Sequence, residues 1–138
     1  MKRIRSMERN FDGSKLDKVA HILNVLGVNY EREEVIFNPH FSTKTHTRNP
    51  DFKIKTEWGM IILEVDGESI HGLYDLSETE KTTKRNADYK RAKIPFITLN
   101  EGEAKHYNLK WESLIPYLIG MAIQSLKAES FIYHGVEE

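Results

Sequence analysis

The stretch Met60-Ile61-Ile62-Leu63-Glu64-Val65-Asp66-Gly67 decides how the chain folds. Met60 to Val65 is a nearly continuous apolar run, and a run of that length bounded by turn signals reads as a strand buried on both faces, at the centre of a sheet. Its far end is acidic. The two-residue period of a strand puts Glu64 and Asp66 on one face and turns Val65 to the other, before Asp66-Gly67 closes the element. Just upstream, Asn49-Pro50 leads into Asp51 to Lys55, which alternates apolar and polar, and Thr56 to Gly59 offers a turn. Two strands joined by a short turn thus place Asp51 near Glu64 and Asp66.

Working outward, Leu16, Val19, Ala20, Leu23 and Leu26 recur at helical spacing after Gly13 and Ser14, a plausible N-cap, until Gly27 stops the pattern at a C′ position. Val28 to Asn38 reads as one strand, with Tyr30 and Val35-Ile36-Phe37 as β-formers, and His40 to Asn49 as a loop or hairpin tip. Gly67 to Gly72 is a loop. The charged stretch from about Leu73 to Lys93 suits a helix packing a narrow stripe (Leu76, Ala87, Tyr89), and Pro95 to Asn100 is a short strand with Phe96, Ile97 and Leu99 facing inward. Trp111 to Lys127 carries Trp111, Leu114, Ile115, Leu118, Ala122 and Leu126 at helical spacing. The order is α, three strands in a meander, then α, β, α: an α/β sandwich with a mixed central sheet whose last strand joins in parallel by a right-handed crossover.

A length of 138 residues suits one domain, so we expect a basic arm over 1–13 and a single domain over 14–138. With 39% hydrophobic and 30% charged residues the chain is too apolar to be disordered. The absence of cysteine excludes a disulfide scaffold, a thiolate zinc site and a cysteine nucleophile. Twenty Lys and Arg against 21 Asp and Glu leave a net charge of −1, so only the distribution of charge speaks to a nucleic-acid partner. Met1 to Asn10 holds four cations and one anion, which suits either a solvated terminus or a phosphate-contacting arm. That segment lacks the apolar core of a signal peptide, and no run approaches the roughly 18 apolar residues of a membrane span, so the expectation is a soluble, intracellular protein.

A buried strand ending in two carboxylates is costly unless a cation neutralises them. Mg²⁺ is suited to that, since it is a hard ion held by a few carboxylates plus waters and able to bind a phosphate as well. Five residues beyond Asp66, His71 sits in the glycine-bracketed loop Gly67-Glu68-Ser69-Ile70-His71-Gly72, where a neutral imidazole could take a proton from an attacking water. Each element alone has a plainer account: Pro-Asp as turn chemistry, Glu64 and Asp66 as strand-end carboxylates, His71 as a loop histidine. Their joint occurrence points to a metal-dependent nuclease.

Pro50-Asp51-Phe52, followed by Ile61-Ile62-Leu63-Glu64-Val65-Asp66-Gly67 and His71, resembles the PD-(D/E)XK, or restriction-endonuclease-like, superfamily. The likeness is to the branch of very-short-patch-repair mismatch endonucleases, their bacterial relatives with an E-V-D-G…H…D…R signature, and the EDxHD homing endonucleases of phages. It runs from about Lys15 to Glu101, with Lys84-Arg85-Asn86-Ala87-Asp88 and Ile94-Pro95-Phe96-Ile97 matching the arginine-bearing helix and the strand after it. The hairpin and that helix are also similar to phage junction-resolving endonucleases. The resemblance implies a Mg²⁺-dependent endodeoxyribonuclease, with Mn²⁺ as a substitute ion, of homing, mismatch-repair or junction-resolving type. Asp51 and Asp66 would then bind metal, Glu64 would be the E of EDxHD, His71 the general base or acid, and Asp75 the final D. Asp17 matches the family's acidic residue on the first helix and reads equally as a solvated helix residue. Asp66 stands where the (D/E)XK motif has its lysine, which suits both the histidine-dependent branch and an inactive DNA-binding or assembly module on the same fold.

Two clusters are candidates for DNA contact. The helix from Glu78 to Lys93 carries Lys84 and Arg85, and the resemblance implies that Arg85 clamps a phosphate near the site, although cations near a helix C-terminus also complement its dipole. The loop Thr43-Lys44-Thr45-His46-Thr47-Arg48 offers Lys44 and Arg48 to a backbone. Ile119 and Ile123, beside the core stripe of the last helix, and Phe131-Ile132-Tyr133 add apolar surface. They suggest a homodimer through the C-terminal region, unless both segments simply cover the far face of the sheet.

Overall fold

The computed structural model describes residues 11–66, 76–100, 108 and 110–135, with side chains described for 15–66, 80–100, 108 and 110–129. Helix α1 (Phe11–Leu26) is followed by β1 (Asn29–Arg32), β2 (Ile36–Phe37), β3 (Thr47–Arg48), β4 (Phe52–Thr56) and β5 (Gly59–Asp66). Helix α2 (Leu76–Arg91), β6 (Phe96–Asn100) and helix α3 (Trp111–Gly135) complete the order. Among the described residues the architecture is α/β, with a four-stranded sheet in the order β1-β4-β5-β6 and a separate two-stranded ribbon of β2 and β3. β1, β4 and β5 pair antiparallel, while β5 and β6 pair in parallel across α2, so the sheet is mixed as expected.

The apolar run of β5 lies between β4 and β6 and buries Ile61, Ile62, Leu63 and Glu64 in succession. Alternation then divides the core. Ile61 and Leu63 join Phe52, Ile54, Ile97 and Leu99 in a layer with α1 (Val19, Leu23) and α3 (Trp111, Ile115, Ile119). Ile62 turns to the other face and packs with Tyr89 of α2 and with Ile36 and Phe41 of the ribbon segment. Helices therefore cover both faces, and Glu64, two residues from Ile62, faces α2.

Several expectations need correction. Helix α1 begins at Phe11, so Ser14 lies inside it rather than capping it; the apolar stripe starts at Leu16, and the extra turn upstream has no periodicity to mark it. Its end is as read: Gly27 sits at φ 76°, and the N–H groups of Gly27 and Val28 both donate to the Leu23 carbonyl. Residues 28–38 are not one strand. Glu33 adopts φ 56° and donates its N–H to the Asp51 carbonyl, which ends β1 and sends β2 off to pair with β3. Helix α3 runs to Gly135 rather than ending at Lys127. Ile119 is 4% exposed and Ile123 packs on the same core, so neither is the surplus surface on which the dimer was argued. The side chains of Phe131, Ile132 and Tyr133 lie outside the described ones, as do residues 1–10 and the Gly67–Asp75 loop with His71 and Asp75. No helix of the described residues is long and apolar enough to cross a membrane.

Candidate active site

The antiparallel register brings the start of β4 to the end of β5, with Phe52 opposite Leu63, so Asp51 falls beside Glu64. The two are tied through the backbone. Asp51 Oδ2 accepts from the Val65 N–H at 2.7 Å, and the Asp51 N–H donates to Glu64 Oε1 at 3.3 Å. Glu64 is only 5% exposed, and its second oxygen accepts a 2.6 Å bond from the Tyr89 hydroxyl of α2. Arg85, one helical turn before Tyr89, reaches the same cluster: Nη1 and Nη2 donate to Asp66 Oδ1 and Oδ2 at 3.0 and 3.3 Å, and Nε lies 3.9 Å from Glu64 Oε2. This parallel fork is the geometry in which a guanidinium binds a carboxylate most firmly.

Three carboxylates and one guanidinium share this end of the sheet. Burial, with the Asp66 charge adding to it, pushes Asp51 above the usual carboxylate range against the opposing pull of the Val65 N–H and Arg85. Burial also raises Glu64, with the Asp51 charge adding to it, although Tyr89 and Arg85 favour its ionised form. The Tyr89 phenol is pushed up by burial and by Glu64, so it stays protonated and acts as a donor. The cluster is thus acidic and partly desolvated, an environment that favours a further cation. No family model, curated protein or solved structure matches this chain.

Of the residues singled out in the sequence, the structure brings Asp51, Glu64, Asp66 and Arg85 together. Asp17 is elsewhere: its exposed carboxylate pairs with Arg32 of β1 at 2.9 Å. His71 and Asp75 lie outside the described residues. Arg48 is drawn to α2, where Nη2 is 2.7 Å from Asp88 Oδ2; Lys44 and Lys84 are exposed. Sequence reading missed Tyr89 as a site residue, placing it only in a packing stripe. Its signal was the i, i+4 spacing from Arg85, which puts both on one face of a helix that must cover β5.

The raised carboxylates make stability depend on pH. A group whose folded pKa lies above its unfolded value stabilises the fold fully below the unfolded value, about 4 for a carboxylate, and loses that contribution as pH rises through the folded one. The metal-free protein should therefore lose stability between about pH 4 and neutrality relative to Asp51→Asn, which cannot ionise. Urea midpoints measured for both proteins across that window check this, and parallel curves would show that Asp51 carries no such burden.

Proposed function

We propose that the protein is a metal-dependent DNA endonuclease, a reading carried by the meeting of Asp51, Glu64 and Asp66 at the β4–β5 end. Among the described residues no group of three or more His, Asp or Glu side chains is placed to hold a metal alone. Mg²⁺ does not require one, because it keeps several waters and binds through one or two carboxylates and substrate phosphates. The donor set fits such an ion: hard oxygens only, three carboxylates to one guanidinium, with both Glu64 oxygens already hydrogen-bonded inside the protein. Asp51 and Asp66 would hold the ion, Mg²⁺ or Mn²⁺, which supplies charge neutralisation at a scissile phosphate and an acidified water. Glu64, fixed by Tyr89, anchors Asp51 through its backbone N–H. Arg85 neutralises Asp66 and stands ready for a phosphate oxygen. His71, from the resemblance to the EDxHD branch, would move the proton at the attacking water, with Asp75 completing that signature.

One observation favours a second reading. The Arg85 fork already satisfies both oxygens of Asp66, so the same fold could serve as an inactive DNA-binding or assembly module in which the guanidinium replaces the metal. Plasmid nicking with Mg²⁺, Mn²⁺ or EDTA separates the two: the endonuclease relaxes supercoiled DNA only with a divalent ion, and absence of nicking with either metal leaves the module. Within the endonuclease reading, His71→Ala should slow cleavage by about 10²-fold or more, the usual effect of removing a general acid or base, while DNA binding stays near wild type. Lost binding would make His71 a phosphate contact instead.

A further inference from the structure

Helix α2 carries a second polar face, one residue along from the first. Arg85 and Tyr89 serve the carboxylates, while Lys84, Asp88 and Arg91, at i, i+4 and i+7, line the adjacent stripe. Asp88 is fully buried, yet it is ionic. Its Oδ2 accepts from the Ser42 N–H at 3.0 Å, the Ser42 hydroxyl at 3.2 Å and Arg48 Nε at 2.9 Å, with Arg48 Nη2 at 2.7 Å, and its Oδ1 pairs with Arg91. Arg91 Nε is further tied to the His40 carbonyl at 3.2 Å. One carboxylate thus fixes two guanidiniums and leaves a positive charge over. Lys84, exposed and with no ion-pair partner among the described residues, adds another. These groups open on a cleft of about 400 Å³ lined by Ser42, Thr43, Arg48, Lys84, Ala87 and Arg91.

We infer that this cleft is a phosphodiester-binding site, which takes a backbone phosphate of DNA beside the one at the carboxylates. The inference rests on the endonuclease reading for the identity of the polyanion. Two guanidiniums held by a buried acid lose little freedom on binding an anion, and their planar forks match phosphate oxygens. The successive residues Asp88 and Tyr89 organise the two sites, so a strand laid along α2 meets cations in the cleft and carboxylates beside it. The buried Asp88 ties Ser42 and Arg48 to α2 and, in doing so, holds two guanidiniums at the cleft.

The test is fluorescence anisotropy of a labelled DNA duplex with the full chain in EDTA, over about 50 to 200 mM salt. Lys84→Ala, a change at an exposed position, should weaken binding about fivefold or more at the low end and reduce the log–log salt slope by about 1, the mark of one lost phosphate contact. Lys90→Ala removes the same charge from α2 outside the cleft and should stay within about twofold of wild type. The inference is overturned if Lys84→Ala binds as wild type does, if Lys90→Ala loses as much, or if wild type does not bind DNA. If the slope changes as expected but no metal supports cleavage, the endonuclease reading falls and the cleft stands.

Discussion

Asp66→Ala should reduce metal-dependent nicking by about 10³-fold or more, since losing a ligand of a Lewis-acid ion forfeits several kcal/mol of transition-state stabilisation. The fold should survive. Asp66 is the last residue of β5 and partly exposed; its loss removes one counter-charge of Arg85 at some cost in stability, while Glu64 Oε2, 3.9 Å from Arg85 Nε, remains as the other. Asp66→Asn provides the matched control, keeping the volume and a hydrogen bond to Arg85 while removing the charge. Both variants should melt cooperatively with wild-type far-UV circular dichroism and show no Mg²⁺-dependent rise in melting temperature. Wild-type nicking by Asp66→Ala would remove Asp66 from the metal site. A gain in DNA affinity in Asp66→Ala would follow from the released guanidinium under either reading, so nicking decides between them.

The second large effect is on stability. Asp88→Ala should cost about 3 to 5 kcal/mol, the range for breaking a buried ion pair, because it strands the largely buried Arg48 guanidinium and leaves the Ser42 N–H without its acceptor. The double variant Asp88→Ala/Arg48→Ala should cost less than the two single changes together, since no charge is then left buried. Burial acts to raise the Asp88 pKa, but the Ser42 N–H and hydroxyl and Arg48 outweigh it and hold the group below the usual carboxylate range. A depressed folded pKa stabilises above the unfolded value and is lost as pH falls through the folded one. The gap between wild type and Asp88→Ala in urea midpoint should accordingly close below about pH 4. A cost under about 1 kcal/mol at neutral pH would mean that the network is ornamental.

Much of this was legible because it is local. The unbroken run of β5 announced a central strand, its acidic end announced a cluster of carboxylates, and the turn at Thr56 to Gly59 told where Asp51 would lie. Alternation even fixed the shared face of Glu64 and Asp66. The break between β1 and β2 was not legible, because it depends on a left-handed Glu33, a residue with no glycine-like preference for that backbone, held there by a hydrogen bond to the Asp51 carbonyl. Nor was the role of Asp88. In sequence it is one acid on a strongly charged helix; its burial depends on Arg48 and Ser42, 40 and 46 residues upstream. Periodicity shows which helical face is covered but not by what, so Tyr89 was placed in packing when it also holds Glu64.

The division of the core into two layers has a further consequence for how the chain tolerates insertions. Strand β5 is gripped on both sides: Ile61 and Leu63 by one layer, Ile62 by the other. Sliding β5 by a single residue against β4 would exchange every inward position, drive Glu64 and Asp66 among the side chains of α1 and α3, and turn Leu63 toward Arg85. No intermediate alignment exists, so the register acts as an all-or-none lock on the carboxylates. A residue added at Glu57 or Trp58, beyond the last paired rung, lengthens only an exposed turn, whereas one added between Met60 and Glu64 dismantles the site and the core in the same event.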